Sequence, residues 1–161
     1  MPIFGLNNGL IPVLAYNYGA RRKDRINEAF KFSLKLAITI MSIGTIIFLA
    51  IPKFLLGFFD ADSEMLKIGV PALRIISSHF PIAALCIIIG SLFQAFSKSL
   101  YSMWISLGRQ LIVLIPAAWL LAKTGVLANV WWSFPIAEGM SLVLSLYFAL
   151  KIKKQIIDKL D

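Results

Sequence analysis

Charge is scarce in this sequence. Asp, Glu, Lys and Arg make up 15% of its 161 residues, where about 25% is usual in globular chains. Only eight residues are acidic. There is one cysteine, Cys86, deep in an apolar run and without a partner in the chain, so an intramolecular disulfide and a disulfide scaffold are both excluded. There is one histidine, His79, with no second histidine and no acid three or four residues away, which makes it a poor metal ligand and points to a packing role. The sequence has no GxSxG, Walker loop, CxxC or HExxH, and no pair of carboxylates shares a helix face. These absences point away from an enzyme and from a bound cofactor. What is abundant is apolar: 59% of the residues are hydrophobic, and mean hydropathy is +0.83. They fall in blocks about 20 residues long, the length that crosses ~30 Å of hydrocarbon as a helix. An ordinary soluble domain and a disordered chain are excluded.

Without period-2 alternation, such blocks are helices rather than barrel strands. Four full spans are expected at about 30–52, 68–95, 101–122 and 126–150. A fifth segment, about 1–18, is weaker, because it carries Asn7, Asn8 and Pro12 and starts abruptly. With no basic region or small-residue cleavage pattern, it is not a signal peptide. The fold class is therefore all-α and polytopic: four full transmembrane helices plus one truncated N-terminal helix.

The connecting segments set the orientation. The first carries Arg21, Arg22, Lys23 and Arg25, the third Lys98, and the tail Lys151, Lys153, Lys154 and Lys159. The second is acidic through Asp60, Asp62 and Glu64. Loops alternate sides, so nine basic residues share one side against Lys53, Lys67 and Lys123 on the other. Positive residues stay inside, which puts the first loop and the C-terminus in the cytoplasm; a multi-pass location in the plasma membrane is expected. The net charge of +8 thus reports topology. No aromatic residues interleave with the basic ones, so nucleic acid is not an expected partner. Two segments suit the membrane surface: KFLLGFFD, beginning at Lys53, and the tail, where Ile156, Ile157 and Leu160 mix with lysines. Simple anchoring of helix ends accounts for both.

Polar groups inside a span are costly, so their placement is informative. Arg74, Ser77, Ser78 and Pro81 share one face of the second span. Ser102, Ser106, Arg109 and Gln110 share a face of the third, and Glu138, Ser141 and Ser145 a face of the fourth. These faces are expected to meet or to line a wet cavity. Glu138 is the only acid within a span. At ~1.5 Å per residue it lies about 18 Å from the cytoplasmic end of its helix, and Arg109 about 12 Å from the same side. A buried pair that fixes packing is one expectation; a protonatable or cation-binding carboxylate is the other. Arg74 should snorkel to the outer interface. Pro81, Pro116 and Pro135 should kink their spans. Trp131 and Trp132 suit an interfacial aromatic belt.

Two blocks carry a resemblance. The first runs through Gly5, Asn7, Asn8, Gly9, Pro12, Asn17, Tyr18, Gly19, Ala20 and Arg21. The second holds Gly108, Arg109, Gln110, Ile115, Pro116, Gly125, Trp131, Trp132, Pro135 and Glu138. In order and spacing the chain resembles the multidrug and toxic compound extrusion (MATE) transporters over its whole length. Gly5 and Gly9 suit close helix contact, and Gly19 suits a left-handed helix cap. The resemblance implies a twelve-helix fold of two lobes, with residues 1–161 forming part of the C-terminal lobe and matching helices eight to twelve. It also implies an antiporter that exchanges protons or sodium for drugs or organic cations, with the lipid bilayer and organic substrates as partners. The missing N-terminal lobe or self-association would complete it. The family's best-known acids lie on its first, seventh and tenth helices. The segment matching the tenth, 68–95, has no acid, and Glu138 lies on the segment matching the twelfth. Candidate cavity or coupling residues are Glu138, Arg109, Gln110, Ser77, Ser78, Ser106 and Ser141. The alternatives are a lipid-linked oligosaccharide flippase of the same superfamily, and a small non-transporting membrane protein acting by helix packing.

Overall fold

A computed structural model describes residues 2–157; Met1, Lys159 and Leu160 fall outside the described residues. Every regular element among them is helical: α1 (Pro2–Gly19), α2 (Lys23–Ala50), α3 (Pro52–Gly57), α4 (Ser63–Ser77), α5 (Phe80–Ala95), α6 (Ser99–Leu107), a π-helical stretch (Gly108–Leu114), α7 (Ile115–Ala122), α8 (Leu127–Val130) and α9 (Ser133–Gln155). Three stretches are long and apolar enough to cross a membrane: Lys23–Ala50, Ser99–Ala122 and Leu127–Gln155. The pair α4 and α5 is long and apolar enough only when taken together, across a bend of 47°. Three of the four expected spans thus have a single continuous helical stretch, and the expected span at 68–95 corresponds to the bent pair, whose first helix begins at Ser63.

Local chemistry sets these boundaries. Pro52 disfavours helical backbone at Ile51, so α2 stops at Ala50 and α3 starts with its proline in the first turn. α4 opens on Asp62, whose Oδ1 accepts from the Met65 N–H at 2.7 Å, with Glu64 in the first turn facing the positive end of the helix dipole. The 47° bend has a specific cause. Pro81 has no N–H to give the Ser77 carbonyl, and its ring crowds that oxygen. The helix restarts at Phe80, with Pro81 in the first turn. The freed Ser77 oxygen takes the Thr45 hydroxyl from α2 at 3.0 Å, a proton shared with the Met41 carbonyl at 3.0 Å.

The other two prolines behave differently from the expected kinks. Pro116 follows the π-helical stretch, where the Ile115 N–H reaches back five residues to the Gln110 carbonyl. The wider winding relieves the clash that the proline ring would otherwise make. Pro135 sits in the first turn of α9, where a missing N–H leaves no helical bond unmade.

α5 is the central helix and packs against α1, α2, α6 and α9. Ala84, Ile88 and Phe93 of α5 are fully buried with Leu14, Ile26 and Ala37. Large apolar side chains on the outer surface, among them Ile46, Ile112, Trp119, Val143 and Leu150, are exposed, as a lipid-facing surface requires. On α3 and just after it, Phe54, Phe58 and Phe59 project outward, consistent with a membrane-surface segment. The tail differs from an amphipathic strip on lipid: Ile157 is buried in the helical core and Ile156 packs on it.

Gly19 is not the left-handed cap. It is the last residue of α1, and the positive φ of 53° falls on Arg21. The Arg22 N–H donates to the Asn17 carbonyl (2.9 Å) and the Arg21 N–H to Tyr18 (3.1 Å), a Schellman ending with arginine where glycine is favoured. α5 ends the same way around Ser97, at φ 56°. A left-handed backbone costs a non-glycine residue about 1–2 kcal/mol, partly offset by the greater freedom of an unfolded glycine. Arg21→Gly should therefore raise stability by about 0.5–1 kcal/mol, measured by denaturant unfolding in detergent micelles. An unchanged or lower midpoint refutes it.

Candidate transport cavity

Between α1, α5, α9 and the α6–π stretch lies a cavity of about 350 Å³, at the lower end of ligand-pocket sizes. Ser102, Ser106 and Arg109 reach it from one face of the third span, and Glu138, Ser141 and Ser145 from one face of the fourth. The two polar stripes read from the sequence therefore meet, because exposing either to lipid is unfavourable. Across the cavity, Arg109 Nη1 donates to Glu138 Oε2 at 2.9 Å. The pair is unequal: the Glu138 side chain is 4% exposed and the Arg109 side chain 40%. Among the described residues they are the only charged ones lining the cavity.

The remaining candidates separate. Ser141 is buried at the cavity wall and Ser106 sits at its open edge. Gln110 is exposed and away from the cavity, because it lies inside the π-helical stretch, where the winding no longer follows the α period. Ser77 and Ser78 are also elsewhere. The helix breaks at their position, and their hydroxyls turn back to the carbonyls of Arg74 (3.2 Å) and Ile75 (2.6 Å). Arg74 is exposed, as snorkelling requires. His79 lies at the same break, buried, with its ring parallel to Phe134 at 6.5 Å and Nδ1 without a hydrogen-bond partner. Among the described residues no three of His, Cys, Asp and Glu assemble into a metal site.

Three cavity features had no sequence signal as a group. Cys86 lies beside Glu138, Ser141 and Ser145. Asn7 of α1 is buried and accepts a short hydrogen bond from the Ser91 hydroxyl of α5. Phe4 and Phe93 supply apolar wall. Asn7 and Ser91 are 84 residues apart, and only tertiary packing pairs them. Gly5 and Gly9, expected at a close helix contact, face open space.

A family model described as MatE matches residues 1–120. The chain is 21% identical over 158 residues to the multidrug export protein MepA of Staphylococcus haemolyticus, covering 98% of this chain and 34% of that protein. An inward-facing MATE multidrug resistance transporter of the MOP superfamily superposes with a TM-score of 0.87 at 18% identity, over 98% of this chain and 37% of the other. DinF-BH, a MATE multidrug transporter solved in complex with rhodamine 6G, superposes with a TM-score of 0.86 at 30% identity, over 98% and 35%. The chain thus spans about a third of the length of the relatives it matches.

Proposed function

This chain belongs to the MATE family of transporters, and from that premise we propose that it builds one wall of the substrate path of a drug exporter, with Glu138 as the group that binds cations. The observation that carries this reading is the buried Glu138 carboxylate, set in a polar cavity, paired with Arg109 and flanked by Cys86. A carboxylate in such a place binds either a proton or a cation, and the two exclude each other there, which is the requirement for antiport. Organic cations are the substrate class and a proton or sodium the coupling ion. Cys86, Phe4 and Phe93 offer soft and aromatic surface to the apolar body of such a substrate, and Ser106, Ser141 and Ser145 offer hydrogen bonds. A flippase for anionic lipid-linked sugars fits less well, because Arg109 is the only cation at the cavity and Arg74 lies outside it. The test is fluorescence polarisation of rhodamine 6G with the purified chain in detergent. Glu138→Gln should weaken binding by about tenfold, the scale of one lost charge contact. Unchanged binding removes Glu138 from the site.

The full protein is proposed as a multi-pass plasma-membrane exporter with its C-terminus in the cytoplasm, completed by a second lobe. The asymmetry of nine basic residues against three supports that orientation. In a Cys86→Ser background, a cysteine at Ala61 should react with an impermeant thiol reagent added to intact cells. A cysteine in the Ala20–Lys23 turn should stay unlabelled until the membrane is opened. The reverse pattern inverts the topology.

A further inference from the structure

We propose that Arg109 is a tethered occupant of the Glu138 site, a built-in cation that an incoming organic cation must displace. The inference rests on the reading of Glu138 given above and adds what fills that site at rest.

The two partners of the ion pair are not equally committed to it. Glu138, on α9, is 4% exposed, so its carboxylate stays inside the fold when Arg109 turns away. Arg109 is 40% exposed on a long side chain, so its guanidinium can leave Glu138 for the open side of the cavity. Among the described residues no other charged one lines the cavity, so a departing guanidinium leaves one net negative charge there, which a cation or a proton neutralises. With the pair closed, the cavity is neutral and holds no attraction for a cation.

The backbone beneath Arg109 suits a movable group. Arg109 is the second residue of the π-helical stretch Gly108–Leu114. Such stretches are less regular than α-helix and cluster at functional positions. The direction in which Arg109 points depends on that wider winding, and a shift of the winding by one residue swings it by about 100° around the helix axis. The adjoining Gly108 is buried, and the π-helical stretch packs against α9.

The consequence is quantitative. If the resting pair is open for about a tenth of the time, the apparent affinity for a cation is about tenfold below the intrinsic one. Removing the guanidinium while keeping the carboxylate releases that penalty. The experiment measures tetraphenylphosphonium binding to the purified chain in detergent by equilibrium dialysis. This probe has a fixed charge and no proton to exchange. Arg109→Gln should bind it about tenfold more tightly than the native chain. Glu138→Gln and the double variant should both bind it more weakly than the native chain. Free guanidinium ion at millimolar concentration should compete with the probe in Arg109→Gln and not in the native chain, an effect that a purely structural arginine does not produce. Should Arg109→Gln fail to fold, Arg109→Lys keeps the charge on a shorter, single-headed donor and should gain about threefold. Equal or weaker probe binding in the folded Arg109 variant, with Glu138→Gln still weakened, overturns the tethered-cation inference and leaves the Glu138 site intact. Unchanged binding in Glu138→Gln overturns the site itself.

Discussion

Arg109→Gln should destabilise the protein by about 2–4 kcal/mol, and Glu138→Gln by about 1 kcal/mol or less. The difference follows from burial. Removing Arg109 strands a carboxylate that is 4% exposed, whereas removing the Glu138 charge strands a guanidinium that is 40% exposed and can turn to water. The upper figure is set by buried pairs that lose one partner, which lose about 3–5 kcal/mol, lowered here because the arginine side is partly solvated. The double variant should recover most of the Arg109→Gln loss, giving a coupling energy of about 1–3 kcal/mol. Thermal unfolding in one detergent, followed by tryptophan fluorescence for the four proteins of the cycle, measures all three quantities. Two equal single losses that simply add would falsify the pair as an energetic unit, whatever its 2.9 Å separation.

That the pair was readable from sequence has a physical reason. Lipid makes unpaired charge so unfavourable that the only acid within a span must find a partner, and the depths of Arg109 and Glu138 on two successive spans left few choices. The spans were readable for a similar reason, since a block of about 20 apolar residues has no other stable arrangement in a bilayer. The failures occurred where the helical period stops. Ser77 and Ser78 share a face with Arg74 only on an unbroken helix, and Pro81 ends that helix by denying the Ser77 carbonyl its donor. Gln110 follows Ser106 by one α turn on paper, but the π winding ahead of Pro116 carries it away from the cavity. Each proline is visible in the sequence, whereas the form its relief takes is not. In these helices that relief depends on the neighbours, such as the Thr45 hydroxyl on α2. Asn7 with Ser91 was unreadable for another reason, because nothing local links residues on the first and fifth helices.

Cells expressing residues 1–161 alone should show no ion-gradient-dependent drug efflux. The chain spans about a third of the length of the transporters it matches. Its cavity is walled by α1, α5, α9 and the third span, with Ser106 exposed at its edge and Gln110 exposed away from it. An alternating-access carrier works by rocking two bundles about a site between them. Expressed by itself, one bundle with the proposed Glu138 site has no second bundle to rock against, so it should not open that site to the two sides in turn. The exposed polar groups, together with the open face at Gly5 and Gly9, are unfavourable against lipid and favour association with further helices. The same residues co-expressed with the remaining part of a MATE exporter should regain efflux, and Glu138→Gln in that setting should abolish it. The measurement is ethidium accumulation in energised cells, before and after the proton and sodium gradients are collapsed, with membrane insertion of each protein checked by blotting. Robust gradient-dependent efflux from residues 1–161 by themselves would show that this set of helices, alone or as copies of itself, supplies both sides of the carrier.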